Sequence, residues 1–268
     1  MKYIILVGDG MPDLPIKELG DKTILEFANT PNMDYVASCG VLGCANFVPN
    51  KFQPGSDVAN LSLFGYDPEK FYTGRAPLEA ASMGVPLTDD DVAFRCNLVT
   101  IINGIMEDYS SGHIKTEEAK SLIIELDKTL SKGDIKFYPG ISYRHLCIIK
   151  NGPIDVKCTP PHDISGKKID KYLPKGKNSG ILKKLMESSI SVLEKCPANK
   201  ERILAGLKPA TSIWLWGQGK KTNMPSYKEK YGLSGSVITA VDLIKGIGLC
   251  AGLDIINVPG ATGYLDTN

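Results

Sequence analysis

A chain of 268 residues with a formal net charge of +1 and 43% hydrophobic residues is long enough for one large domain or two modest ones, each with a real core. So small a net charge gives no global electrostatic case for nucleic acid or an anionic membrane, and no uninterrupted apolar run approaches the roughly 18 residues of a membrane span. The seven cysteines, an odd number without Cys-x-x-Cys spacing, read as reduced thiols of a cytoplasmic protein; Cys39, Cys44, Cys96, Cys147 and Cys250 sit among apolar neighbours and are expected in the core.

The N-terminus shows no signal-peptide pattern and enters a short apolar run at once, Tyr3-Ile4-Ile5-Leu6-Val7. This run is expected to be a buried first strand that delivers Asp9 to the turn Gly8-Asp9-Gly10-Met11. Ligands of open α/β sheets bind beyond the carboxyl ends of the strands, so Asp9 is either a metal-site carboxylate or a plain turn former. Met11 to Thr23 reads as a polar loop. Thr30 is placed to N-cap a helix with Pro31 at its first position and Gly40 at its end, and Val41 to Phe47 reads as a second strand.

The stretch Pro54 to Pro68 carries the most chemistry. Gly55 permits a turn, Ser56 and Asp57 are good N-cap residues, Val58 to Leu63 support a short helix, and Gly65 is placed to end it. A serine at a helix N-terminus lies among unpaired N–H groups that favour an anion or a developing alkoxide. The alternative is that Ser56 is only a cap. Pro77 is expected to open a further helix that stops near Gly84. Strand, helix, strand and helix in this order argue for a parallel α/β layer.

The character changes near Thr88-Asp89-Asp90-Asp91. Val92 to Ile102 reads as a strand, Thr116 as the cap of an amphipathic helix carrying Leu122, Ile123, Leu126 and Leu130, and Ile135 to Tyr138 and Leu146 to Ile149 as strands. Asn151 to Asn178 reads as a long irregular loop. Ser179 begins a second helix closed by Pro197. This segment, 89–206, is expected to form an α+β insertion. From Ser212 the first character returns: a strand at Ile213 to Trp216, a helix capped by Ser234 or Ser236 and running to Ala251, a strand at Asp254 to Val258, and a turn at Pro259-Gly260.

Several motifs come in a fixed order: Gly8-Asp9-Gly10-Met11, Thr30-Pro31-Asn32-Met33-Asp34, the Ser56 stretch, and Tyr72-Thr73-Gly74-Arg75-Ala76-Pro77-Leu78-Glu79-Ala80. Phe94-Arg95-Cys96-Asn97, Tyr143-Arg144-His145, Trp214-Leu215-Trp216-Gly217-Gln218-Gly219 and Val258-Pro259-Gly260-Ala261-Thr262-Gly263 follow. With these the chain resembles the archaeal-type cofactor-independent phosphoglycerate mutases of the alkaline phosphatase superfamily over essentially its whole length. The resemblance implies an α/β alkaline phosphatase-like core with a parallel sheet, formed by 1–88 and 207–268, with 89–206 inserted as a substrate-binding domain. It implies an isomerase of glycolysis that needs no 2,3-bisphosphoglycerate and uses divalent metal, two ions of Mn²⁺, Mg²⁺ or Zn²⁺. Ser56 would be the catalytic residue that takes the phosphoryl group, and Asp9 and Ser56 would be metal ligands. Arg75, Arg95, Asn97, His113, Arg144 and Lys221 would bind a small phosphorylated acid, 3-phosphoglycerate or 2-phosphoglycerate.

Residue chemistry leaves alternatives beside each of these roles. Arg95 and Arg144 suit bidentate binding of carboxylate or phosphate, or else a structural ion pair. Arg144 and His145 alternate on a strand, so only one should face the cleft. His113 alone would be a surface or capping residue. Gly217-Gln218-Gly219-Lys220-Lys221-Thr222 lacks the Gly-x-x-x-x-Gly-Lys-Ser/Thr spacing of a phosphate loop, so Lys220 and Lys221 face either a phosphate or solvent. No His-Glu-x-x-His and no Gly-x-Ser-x-Gly occurs.

The family's metal site is completed by Asp and His ligands later in the core, whereas the three histidines here fall within 89–206, and the sequence ends at Tyr264-Leu265-Asp266-Thr267-Asn268. The expectation is therefore an N-terminal portion of a longer enzyme, unable by itself to bind two metals tightly or turn over phosphoglycerate. A phosphatase or another phosphomutase on the same core is the alternative activity, and a non-catalytic binding module is the alternative class. The oligomeric state is open.

Overall fold

A computed structural model describes residues 1–263 and Thr267; the expected chain end at Tyr264, Leu265, Asp266 and Asn268 lies outside the described residues. The chain divides into two compact units, Met1–Asn46 and Phe47–Asn268.

In the first unit Thr23 and Glu26 close a reciprocal capping box over α1 (Ile24–Phe27). Helix α2 (Pro31–Cys39) starts after Thr30 with Pro31 in its first turn and stops at Gly40, as its sequence signals dictate. The two expected strands do not form. Residues 3–7 and 41–47 join no ladder, and Ile4, Leu6, Val41 and Leu42 are exposed. An extended apolar run becomes a strand only when a neighbouring backbone takes up its N–H and C=O groups, and the unit supplies no such partner among the described residues. Cys39, at the end of α2, and Cys44 are exposed and Cys250 is half-buried, against the expectation of core positions, whereas Cys96 and Cys147 are buried.

The second unit runs α3 (Ser56–Leu63), α4 (Pro68–Phe71), α5 (Arg75–Ser82), β1 (Asp91–Ile102), β2 (Ile105–Asp108), α6 (Thr116–Leu130), β3 (Ile135–Tyr138) and β4 (Arg144–Lys150). It continues with β5 (Val156–Lys157), β6 (Lys175–Gly176), α7 (Gly180–Lys195), α8 (Pro197–Leu204), β7 (Ser212–Lys220), α9 (Tyr227–Tyr231), β8 (Ser236–Ile238), α10 (Asp242–Cys250) and β9 (Asp254–Ile256). The strands β2, β1, β4 and β3 form an antiparallel sheet in that order, and β7 adds to it by pairing with β1 from Val92↔Lys220 to Val99↔Ser212.

Register sorts the two faces of this sheet, because directly opposed residues share a face. Phe94, Cys96, Leu98, Cys147, Ile213 and Leu215 lie on one face, in a core shared with Leu122, Ile123 and Leu126 of α6 and Leu182, Leu185 and Met186 of α7. The other face carries Ala93, Arg95, Asn97, Arg144, Leu146 and Trp216. There Ala93, Leu146 and Ile148 pack on Ala76 and Ala80 of α5, and the polar members of the row stay at the helix edge. An alanine-faced α5 lets the helix lie close on the sheet without covering the arginines.

Helix α5 also crosses α10 closely. A Cβ on Gly246 would stand 1.9 Å from the Leu78 carbonyl oxygen, so no larger residue fits the crossing. Around it Leu61, Leu78, Leu243, Ile247 and Leu253 form a second core, edged by the parallel pair β8–β9.

Local chemistry moved several boundaries. The strand expected at Ile213 to Trp216 extends to Lys220 and belongs to the antiparallel sheet, with Gly217 at φ +62° where the register shifts. Ser236 opens β8 rather than capping a helix, and α10 begins only at Asp242. Pro197 opens α8 instead of only closing α7, since proline is well suited to a first helical turn. Residues 151–178, read as irregular, hold the small β5–β6 pair and two short 3₁₀ turns.

Candidate active site

Glu79 is the organising side chain. It sits one helical turn beyond Arg75 on α5, and its Oε1 accepts from Arg75 Nε at 3.1 Å. Its other oxygen, Oε2, accepts from Arg95 Nε at 2.8 Å across the helix–sheet boundary. One buried carboxylate thus ties two guanidinium groups together. Arg95 is 4% exposed, and its guanidinium carbon stands 4.2 Å from the Trp216 ring centroid. Burial pulls the Arg95 pKa down and Glu79 holds it up, while Arg75 and Arg144 add to the downward pull. The cluster therefore keeps a net positive charge that an anion would relieve.

The site is continued by aromatic rings. Trp216 Nε1 donates to Asn97 Oδ1 at 3.1 Å. The Trp216 and His162 rings are 5.4 Å apart, His162 and Tyr109 6.1 Å, and Tyr109 and Tyr143 5.7 Å. Tyr143 in turn has His113 at 6.5 Å and the Arg144 guanidinium at 5.7 Å. Arg75, Arg95, Asn97, Arg144 and His113 are thereby brought into one continuous set by Glu79, Trp216, His162, Tyr109 and Tyr143. His162 has its pKa lowered by burial first, against Asp163, with Arg95 and Arg75 adding to the lowering.

His113 itself is exposed, at φ +50° in a turn that also holds Ser111 and Gly112 at positive φ. Arg202, 3% exposed, pins this turn from behind: its Nη2 donates to the Ser111 carbonyl at 2.7 Å and its Nη1 to Glu118 at 2.8 Å.

Arg144 and His145 separate as strand alternation requires. Arg144 lies opposite Asn97, on the Arg95 face, and His145 lies opposite Cys96, on the other. His145 is 1% exposed and accepts from the Gly140 N–H at Nδ1, 2.9 Å. Both residues border a cleft of about 480 Å³ that also takes in Arg75, Glu79, Lys120 and Asp242.

Ser56 is not the N-cap of α3. Gly55 holds that position, and Ser56 and Asp57 occupy the first two helical positions. Ser56 is exposed at the helix end, and its carbonyl accepts from Asn60 Nδ2 at 2.8 Å. Asp57 Oδ2 accepts from the Tyr72 hydroxyl at 2.5 Å. Burial first, and Asp57 second, push the Tyr72 pKa far above the usual tyrosine range, while Arg75 and Arg95 pull it back. Ser56 is thus next to Asp57, whose hydrogen bond with Tyr72 joins this helix start to the segment that leads into Arg75. The segment between them is tightly held: a Cβ on Gly74, at φ +136°, would stand 2.0 Å from the Gln218 carbonyl oxygen, and Thr73 Oγ1 donates to the Lys220 carbonyl at 2.6 Å. Lys221, next along, is exposed and makes no contact with the arginines among the described residues.

Asp9 lies in the first unit, exposed in a turn. Among the described residues no group of three or more His, Cys, Asp or Glu side chains is placed to hold a metal ion. One carboxylate and one hydroxyl do not make a metal centre, because a cation so held keeps most of its waters.

Glu79 and Trp216 were the residues missed by sequence reasoning. Glu79 had a signal, its spacing of four from Arg75; Trp216 had none, because its partner Arg95 is on another strand.

A family model described as 2,3-bisphosphoglycerate-independent phosphoglycerate mutase matches residues 37–199. The chain belongs to that family. A 2,3-bisphosphoglycerate-independent phosphoglycerate mutase of Methanosarcina acetivorans is 58% identical over 269 residues, which cover 100% of this chain and 68% of the relative. A probable member from Geobacter sulfurreducens is 54% identical with the same coverage. Among solved structures, a protein from Pyrococcus horikoshii aligns with a TM-score of 0.74 at 32% identity, over 97% of this chain and 62% of that one. A cofactor-independent phosphoglycerate mutase from Thermoplasma acidophilum aligns with a TM-score of 0.57 at 25% identity, over 94% of this chain and 68% of that one. The chain therefore spans about two thirds of the length of these proteins and shares the mixed α/β fold of the solved ones. No helix among its described residues is long and apolar enough to cross a membrane.

Proposed function

We propose that this chain carries the phosphoryl-accepting serine and the substrate clamp of a phosphoglycerate mutase that interconverts 3-phosphoglycerate and 2-phosphoglycerate. The observation that carries this reading is the pair of arginines bridged by Glu79, set beside the Tyr72–Asp57 hydrogen bond that leads to Ser56. Two forked cations around one carboxylate suit a phosphorylated carboxylic acid, whose oxygens bind guanidinium groups bidentately.

In this reading Ser56 Oγ takes the phosphoryl group, and the departing substrate hydroxyl receives the proton that Ser56 gives up. The N–H groups at the start of α3 stabilise the charge that develops there. Glycerate stays on Arg75, Arg95 and Arg144, reorients, and takes the phosphoryl group back on its other hydroxyl. Asn97, His113 and Lys221 are proposed as further substrate contacts, and 89–206 as the substrate-binding part around which 1–88 and 207–268 supply the core. A divalent cation, Mn²⁺, Mg²⁺ or Zn²⁺, enters through the family resemblance, with Asp9 and Ser56 as ligands. The described residues do not complete such a site, and no step above runs through it. A cytoplasmic location accords with the small acid substrate and the free thiols.

The test is incubation of 3-phosphoglycerate and Mn²⁺ with this polypeptide, alone and joined to the part of the Methanosarcina acetivorans relative outside the matched region. Formation of 2-phosphoglycerate supports the mutase, and release of inorganic phosphate alone would assign a phosphatase. Ser56→Ala should abolish turnover with the fold intact. Substantial mutase activity in that variant would remove Ser56 from the mechanism.

A further inference from the structure

We propose that Glu79 is a positioning residue that sets the anion selectivity of the clamp: it holds Arg75 and Arg95 by their Nε atoms and leaves both Nη ends for a phosphoryl dianion. The inference rests on the reading of this site as a phosphoglycerate clamp and deepens it by naming what orients the clamp.

Three observations carry it. First, the side-chain hydrogen bonds made by Arg75 and Arg95 are those from Nε to the two oxygens of Glu79. Second, Arg75 lines the cleft beside Arg144 with its side chain 30% exposed, and among the described residues no hydrogen bond is made by the Nη atoms of Arg75 or Arg95. Third, Arg95 is fixed on three sides, by Glu79, by the Trp216 face at 4.2 Å, and by its own strand, so it has little freedom to choose another orientation. A guanidinium held by Nε presents its two Nη atoms as a planar fork, the arrangement that matches two phosphate oxygens. Two such forks hinged on one carboxylate make a site for one shape of dianion. Without the hinge they are two mobile cations with more charge and less shape.

Charge and geometry therefore pull in opposite directions when Glu79 is changed. Glu79→Gln removes a negative charge, which favours any anion. It also replaces one accepting oxygen with an NH₂ donor, which must face one of the two Nε–H groups and release it. The expected result is that binding of inorganic phosphate stays the same or tightens, while the preference for 3-phosphoglycerate over inorganic phosphate falls by about tenfold, the loss of one well-made charged hydrogen bond. Glu79→Asp keeps the charge but is one methylene too short to reach both arginines, and it should lose the same preference without tightening phosphate. A role confined to holding α5 on the sheet would instead weaken both ligands in parallel with thermal stability.

The experiment is titration of the wild type, Glu79→Gln and Glu79→Asp with inorganic phosphate and with 3-phosphoglycerate. Arginine-detected ¹⁵N spectra of the same samples follow the Nε–H signals of Arg75 and Arg95. The wild type should show both Nε–H signals protected before and after phosphate, and Glu79→Gln should lose one. An unchanged ratio of affinities in both variants overturns the inference, as does phosphate binding that leaves both arginines unshifted. A preference for 3-phosphoglycerate that both Glu79 variants lose, with no 2-phosphoglycerate formed by the extended protein, would sink the mutase reading and leave the Glu79 hinge standing, whereas a wild type with no preference overturns the inference. If Glu79→Gln does not fold, Glu79→Asp and the wild-type spectra decide.

Discussion

His145 should make the protein acid-sensitive, and one substitution should separate its share from that of every other group. Its ring is 1% exposed, with Nδ1 already taken by the Gly140 N–H, so the neutral ring carries its proton on Nε2. A second proton would place a charge in the core. Burial, aided by Arg144 and opposed by the Ser142 backbone, lowers the pKa from 6.5 to about 3. The unfolded chain binds a proton below about pH 6.5 and the folded chain does not until about pH 3, so stability present at neutral pH is lost on acidification. At pH 4.5 the gap is about two units, or about 3 kcal/mol at 1.36 kcal/mol per unit. His145→Asn keeps an oxygen where Nδ1 accepts the Gly140 N–H and cannot be charged. Urea unfolding at pH 7.5 and pH 4.5 should show the variant less stable at the higher pH through lost packing, but with an acid-induced drop about 3 kcal/mol smaller than the wild type's. Carboxylates held below their usual pKa, Asp108 among them, contribute equally to both proteins and cancel in the difference. Parallel pH dependences in the two proteins would refute the assignment of the acid limb to His145.

Two further substitutions test the frame of the site. Gly246→Ala drives a Cβ to 1.9 Å from the Leu78 carbonyl and must part α5 from α10; it should cost about 2–3 kcal/mol and several degrees of Tm, whereas Gly180→Ala, which meets nothing, should be neutral or slightly stabilising. Arg202→Met keeps the volume but strands the Ser111 and Lys208 carbonyls and the Glu118 carboxylate, and should cost about 3–5 kcal/mol in chemical denaturation; a loss below about 1 kcal/mol would mean that water replaces the guanidinium freely.

What the sequence could and could not disclose follows from where each interaction is made. Amphipathic α6 and α7, and the strands β1, β3 and β4, were legible because their signals lie within the element: a stripe at helical spacing, or an apolar run between turns. The same run of apolar residues at 3–7 did not make a strand, because pairing is a property of the neighbour and not of the run. The helix expected after Ser236 failed in the same way: three residues there pair with β9, and the ladder outweighs the capping signal. The candidate site divides along the same line. Arg95 and Arg144 could be named from their chemistry, and Arg75 from the family resemblance. Their assembly could not, since it depends on β7 reaching β1 with Trp216 opposite Arg95, a contact between residues more than a hundred positions apart. Glu79 lies between these cases. Its pairing with Arg75 is local and was readable from a spacing of four, but its pairing with Arg95 needs α5 to lie on the sheet, and only an alanine-faced helix can lie that close. Ala76 and Ala80 carry no charge and are fully buried. They nevertheless decide whether one carboxylate can span two arginines, so the pairing of Arg75 and Arg95 on Glu79 depends partly on side chains that do nothing but stay small.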